Sequence, residues 1–281
     1  MRRVDEIAAP MVIFVTVYLA LTALWVLLIP GATLAAAQWC GLGAAAMATA
    51  AAGWLRERRL PPIGLDGPIR RGIGEGSAAF LLAVGAILAA HALVMTTGSR
   101  MVRGEGVAAA EVFALMLPAV LHEEILMRGY AFQRLADWSR TGAVAISSLV
   151  FALLHLANLG MGTIAFINIL LGGVLLSLAF FIRRSLWVPI GLHFGWNFAS
   201  GPLLGHEVSG YVPESSVWRT IDAGPRWLSG GSFGIEASLW ITLVELALIA
   251  LLIARLRNGS RPGGVAEGDC SLTAKGRKSS E

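Results

Sequence analysis

Eight runs of apolar residues, each long enough to cross a lipid bilayer, divide the chain at roughly 11–29, 34–55, 77–97, 107–135, 142–158, 164–183, 186–203 and 236–255. About 20 such residues span the hydrocarbon core. Within that core every backbone N–H and C=O needs an internal partner, and none of the runs alternates as a barrel strand does. The fold class that follows is all-α: a polytopic membrane protein of about eight transmembrane helices. Composition agrees, since 56% of the 281 residues are hydrophobic and only 14% are charged. A soluble domain carries about 25% charged residues.

The cations set the orientation. With the N-terminus inside, the inner segments hold seventeen of the Lys and Arg residues and the outer loops four, Arg100, Arg103, Arg219 and Arg226. That asymmetry follows the positive-inside rule and places both termini in the cytoplasm. It also accounts for the pI near 9.6, so no nucleic-acid partner is called for. The first run is longer than the 7–15 residues of a signal-peptide core and reads as a retained span. Residues 1–257 are expected to form a single transmembrane helical domain, with its functional core at about 107–203. The polar stretch 258–281 reads as a disordered cytoplasmic tail. Cys40 and Cys270 fall in a span and in that tail, which argues against a disulfide or a metal pair. Ala44, Ala45 and Ala46 give the second span a small-residue face for close helix packing.

The fourth run contains Leu121-His122-Glu123-Glu124-Ile125-Leu126-Met127-Arg128-Gly129-Tyr130. Each charge at the centre of a span costs roughly 2.5 to 3.5 kcal/mol on the insertion scale. Such residues are expected to face a protein interior or a watery cavity and to have a function. Glu124 and Arg128 are four apart and share a helix face as an ion pair. Glu123 points about 100° away and lacks that cation. A desolvated carboxyl beside a like charge has the setting of a general base. Pro118 is expected to kink the same helix. Glu111, Glu236, Glu245 and His91 read as helix contacts or interfacial residues, Glu245 least comfortably.

Two later runs add a polar set each. Phe151 and His155 are i and i+4, as are His193 and Asn197. Counted from the nearest inner arginine, Glu123 lies roughly 16 Å deep, His155 22 Å, His193 13 Å and Asn197 20 Å. All four reach the middle of a core about 30 Å thick. A carboxylate, two imidazoles and a carboxamide suit hydrolysis by water. Glu123 would take the proton, His155 would orient the water, and His193 and Asn197 would donate to the oxyanion. A metal version is open as well, with Zn²⁺ on Glu123, His155 and His193 and the other carboxylate as base. Neither H-E-x-x-H nor G-x-S-x-G is present.

Glu123-Glu124 with Arg128, Phe151 with His155, and His193 with Asn197 reproduce in order the patterns E-E-x-x-x-R, F-x-x-x-H and H-x-x-x-N. Together they resemble the CPBP family of intramembrane proteases, which includes the type II CAAX prenyl endopeptidases and the bacterial Abi immunity proteins. The resemblance covers about residues 107–203. It implies a cavity open to the cytoplasm, water activation by Glu123 and His155, and an oxyanion site at His193 and Asn197. Members were first described as metalloproteases, and a metal-independent glutamate mechanism is favoured for some. The implied partner is a peptide or protein substrate, lipidated or membrane-associated, within membrane lipid. The implied setting is multi-pass, in a bacterial inner membrane. Two other classes stay open. One is a proton- or ion-coupled transporter using the same groups as a relay. The other is an immunity or binding protein with this fold and no proteolysis.

Overall fold

Helices account for nearly all the regular structure in the computed structural model, which describes residues 4–259. In chain order they are α1 Val4–Leu28, α2 Leu34–Glu57, α3 Ile69–Met95, a short α4 Ala109–Glu111, α5 Leu117–Arg128, α6 Tyr130–Trp138, α7 Arg140–Leu154, α8 Thr163–Arg183, α9 Trp187–Phe198, α10 Arg226–Ser229 and α11 Leu239–Gly259. Among the described residues, α1, α2, α3, α8 and α11 are long and apolar enough to cross a membrane. The polar stretch beyond Gly259, Cys270 included, lies outside the described residues. So does most of the segment expected as a tail.

Local chemistry sets several helix ends. The Thr33 hydroxyl accepts the Ala36 N–H at 3.2 Å to open α2, and the Ser139 hydroxyl accepts the Gly142 N–H at 3.0 Å to open α7. Arg58 and Arg184 close α2 and α8 in the left-handed conformation, each returning an N–H to a last-turn carbonyl.

The three segments that carry the polar motifs are short or interrupted. The run expected as one helix over 107–135 is instead α4, a π-helical turn at Val112–Met116, then α5 and α6. The π turn precedes Pro118. A proline ring collides with the carbonyl four residues back in a regular helix, and here Leu117 N–H reaches Val112 five residues back. The expected kink is thus a widened turn. The second break is at Gly129, where a Cβ would collide with the Ile125 carbonyl oxygen. The depth inferred for Glu123 by counting to Arg134 therefore fails, because the helix ends at Arg128. Beyond the break, α6 ties to the end of α2 and to the loop after it. Tyr130 donates to Glu57 at 3.1 Å and Gln133 to the Ile63 carbonyl at 2.9 Å. Helix α7 has 15 residues, and α9 has 12 before a second π turn at Ala199–Leu203.

Close backbone approach fixes α9. A Cβ at Gly191 would collide with the Gly76 carbonyl of α3, and one at Gly195 would meet the Phe80 carbonyl. Glycines one turn apart let two helices touch backbone to backbone. This seam holds the helix that carries His193 and Asn197. The main apolar cluster lies around it, with Ala83 and Ile87 of α3, Leu176 and Ala179 of α8, Leu192 of α9 and Ile241 of α11. In α2, Ala44, Ala45, Ala48 and Ala52 are buried while Ala46 is exposed, so the small-residue face follows the helical repeat rather than the Ala44–Ala46 run. At the opposite end of α3 from its arginines, the loops form a two-stranded antiparallel ribbon. Strand β1, Arg100–Arg103, pairs with β2, Trp218–Ile221, Arg100 lying opposite Ile221.

Candidate active site

Glu124 and Arg128 meet as the one-turn spacing on α5 dictates. Arg128 Nη1 donates to Glu124 Oε1 at 3.1 Å, and both side chains are fully buried. Arg128 also donates through Nη2 to the Gly173 carbonyl of α8 at 3.0 Å, and its guanidinium lies 4.8 Å from the centre of the Phe151 ring of α7. Gly173 is needed there, since a Cβ would press on Ser148. One arginine thus fastens three helices. The ion pair read from the sequence is present, and it is also the hub of the site.

His193 joins this hub. Its Nδ1 donates to Glu124 Oε1 at 2.8 Å, while Nε2 lies 3.8 Å from Glu123 Oε2. The imidazole therefore stands between the two adjacent carboxylates. The i and i+4 rule could not reveal this, because the bond joins α9 to α5. Glu123 differs from Glu124 as expected. Its side chain is 29% exposed while that of Glu124 is fully buried.

His155 sits at the C-terminal cap of α7. Its Nδ1 donates to the Phe151 carbonyl at 2.7 Å, so Nδ1 carries a proton and Nε2 is left to accept one. Phe151 orders both histidines. Its ring centre is 4.6 Å from that of His155 and 6.1 Å from that of His193, the latter edge-on. The aromatic residue of the second motif is therefore a spacer between the arginine and the two imidazoles.

Glu123, His155, His193 and Asn197 line one cavity of about 540 Å³. A second chamber of about 50 Å³ shares Phe151, His155, His193 and Asn197 with it. Sequence reasoning gave no role to three other groups on the large cavity. Tyr18 donates to His122 Nε2 at 2.8 Å, and His122 Nδ1 donates to Gln38 at 3.1 Å. This chain links α1 and α2 to the residue beside Glu123. A Cβ at Gly41 would occupy the place of the His122 ring. Polar residues inside otherwise apolar runs were the available signal.

The residues set aside as helix contacts divide. Glu111 accepts the Glu214 N–H at 3.1 and 3.2 Å, which is a loop contact. His91 pairs with His206 at 3.0 Å under the ribbon. Glu236 accepts from Trp196 Nε1 at 3.1 Å and from the N–H and hydroxyl of Ser209 at 2.6 and 2.8 Å, so it is fully engaged. Glu236 and Glu245 also line the small chamber.

Glu123, His155 and His193, the residues offered for zinc, line one cavity. Among the described residues no three His, Cys, Asp or Glu side chains gather as a ligand set.

No curated protein and no solved structure matches the chain. A family model does, Type II CAAX prenyl endopeptidase Rce1-like, over residues 106–199. That third of the chain holds Glu123, Glu124, Arg128, His155, His193 and Asn197. The family that the three motifs resemble is thus matched over the segment that carries the motif residues of this cavity, and it is a family of membrane proteases.

Proposed function

We propose that this integral membrane protein is an endopeptidase that cleaves a peptide bond with a water activated by Glu123. The observation that carries the reading is the convergence of Glu123, His155, His193 and Asn197, from three separate helices, on one cavity. Its volume lies in the usual range for ligand sites, about 300–1,000 Å³.

The steps use protein groups alone. His155 Nε2 accepts a hydrogen bond from the attacking water and orients it. Glu123 takes the water proton as its oxygen bonds to the carbonyl carbon. Asn197 donates to the oxygen that becomes negative, and so does His193 through Nε2, as an imidazolium held between the two carboxylates. Glu124 and Arg128 fix His193 by holding Nδ1. Glu123 then passes the proton to the amide nitrogen, the C–N bond breaks, and the new carboxyl gives its remaining proton to the amine, so that a carboxylate and an ammonium leave. The substrate is a peptide or protein segment presented at the membrane. A lipidated tail, and a bacterial inner membrane with both termini cytoplasmic, belong to the same proposal.

The test is purified Glu123→Ala on a peptide that the parent cleaves. Loss of a general base costs about 10²–10⁴-fold in rate. The fold should hold, since Glu123 is partly exposed and makes no close ion pair. Full cleavage by this variant would end the mechanism.

A further inference from the structure

The least explained group in the molecule is Glu245. It sits on α11 within a membrane-spanning helix, 3% exposed, and its Oε2 has no hydrogen-bond partner among the described residues. Its Oε1 lies over Gly172 of α8, where an added Cβ would come within 3.2 Å of it. A helix contact does not explain a carboxyl with an empty oxygen. In hydrocarbon an unsatisfied polar group costs several kcal/mol. Glu236 shows the contrast, with three donors on its two oxygens. Glu245 lines the small chamber, and so do Asn197, Ser209 and both motif histidines.

We infer that this chamber is a site for ordered water, anchored by Glu245, that feeds the hydrolytic centre from behind the histidines. Its 50 Å³ exceeds the roughly 10–15 Å³ that a cavity needs to hold a water. Glu245, Asn197, Ser209 and the two histidines line it as polar partners for a buried water, which needs two to four. The inference rests on the protease reading. A peptide that fills the larger cavity closes that side to bulk water. His155, His193 and Asn197 line both spaces, so water held in the chamber can replace the one consumed.

The experiment uses the full chain in lipid nanodiscs, with water itself as the probe. Brief radiolysis in ¹⁸O-water oxidises side chains that touch bound water. Ile169 and Leu176 line the chamber and are buried, so they should be labelled in the parent. Glu245→Leu should lose that labelling and lower kcat by about tenfold or more with KM unchanged, as displaced reactants do. Glu245→Gln, which still binds water, should keep both. Glu245→Leu removes a buried polar group, so its thermal unfolding should match the parent or exceed it. An unlabelled chamber in the parent overturns the inference. Full kcat in Glu245→Leu does so too. If the parent is labelled but cleaves no peptide, the protease reading fails while the water site stands.

Discussion

Replacing Arg128 with Ala should be among the most damaging single changes in this chain, and the structure gives its size. The guanidinium is fully buried and serves four groups. It pairs with Glu124 at 3.1 Å, donates to the Gly173 carbonyl at 3.0 Å, lies over Phe151 at 4.8 Å, and through Glu124 holds His193. Its removal leaves Glu124 buried with only the His193 bond, and Glu124 Oε2 is already unpartnered. Breaking a buried pair on one side costs about 3–5 kcal/mol. The lost ring contact is within that figure, being worth about 2 kcal/mol when desolvated. Against a total stability of about 5–15 kcal/mol, the change is severe. Reversible unfolding in mixed micelles, titrated with a denaturing detergent, measures it. The double variant Glu124→Gln with Arg128→Met removes both charges and should recover about half of the loss, because no charge is left stranded. Arg128→Ala within about 1 kcal/mol of the parent, or a double variant no better than the single one, would refute the hub.

Three further outcomes are expected. Gly195→Leu should separate α9 from the Phe80 carbonyl of α3, costing about 3 kcal/mol or more and cleavage with it; a variant as stable and active as the parent contradicts the seam. Partial desolvation of a carboxyl that still meets solvent, with the Glu207 carboxylate nearby, pushes Asp222 up to about 6. Its folded value is above its unfolded one, so the stability it gives is full below about 4 and is lost as pH rises through about 6. Hydrogen exchange across residues 205–235 should therefore quicken between those values, and Asp222→Asn should flatten the dependence. Exhaustive chelation should leave cleavage unchanged, as expected when no ligand set is gathered; loss restored by added zinc would place a metal in the reaction.

The sequence foretells what depends on its own periodicity. Five apolar runs are long helices, and the spacing of Glu124 to Arg128 and of Phe151 to His155 yields real contacts. It also marks Glu123, His155, His193 and Asn197 as candidates, and these share a cavity. It does not reveal which imidazole meets which carboxylate. His193 could be read as a free oxyanion donor, yet its Nδ1 is committed to Glu124. That pairing is set by how α9 packs on α5, and no spacing along one helix encodes it. The break at Gly129 was hidden for a similar reason. A glycine within an apolar run is common, and only the Ile125 carbonyl beneath it makes the position demanding.

The interruptions and the chemistry have one physical origin. A long apolar helix satisfies its own backbone and gains nothing from polar side chains in lipid. Polar side chains become tolerable where several helices turn toward one another and supply partners. α5, α7 and α9, which bear the motifs, are the short ones, while the longer α3 and α8 pack on them by glycine contacts at Gly76 and Gly173. The arginine that costs most to bury also does most to gather the site, reaching α8 directly and α9 through Glu124. Glu123 makes only the longer 3.8 Å approach to His193 and remains partly exposed on the cavity wall. On the mechanism proposed above, the group that exchanges protons with substrate has to be left out of the tight ion pair, and two adjacent glutamates on one helix allow one to be fixed while the other stays accessible.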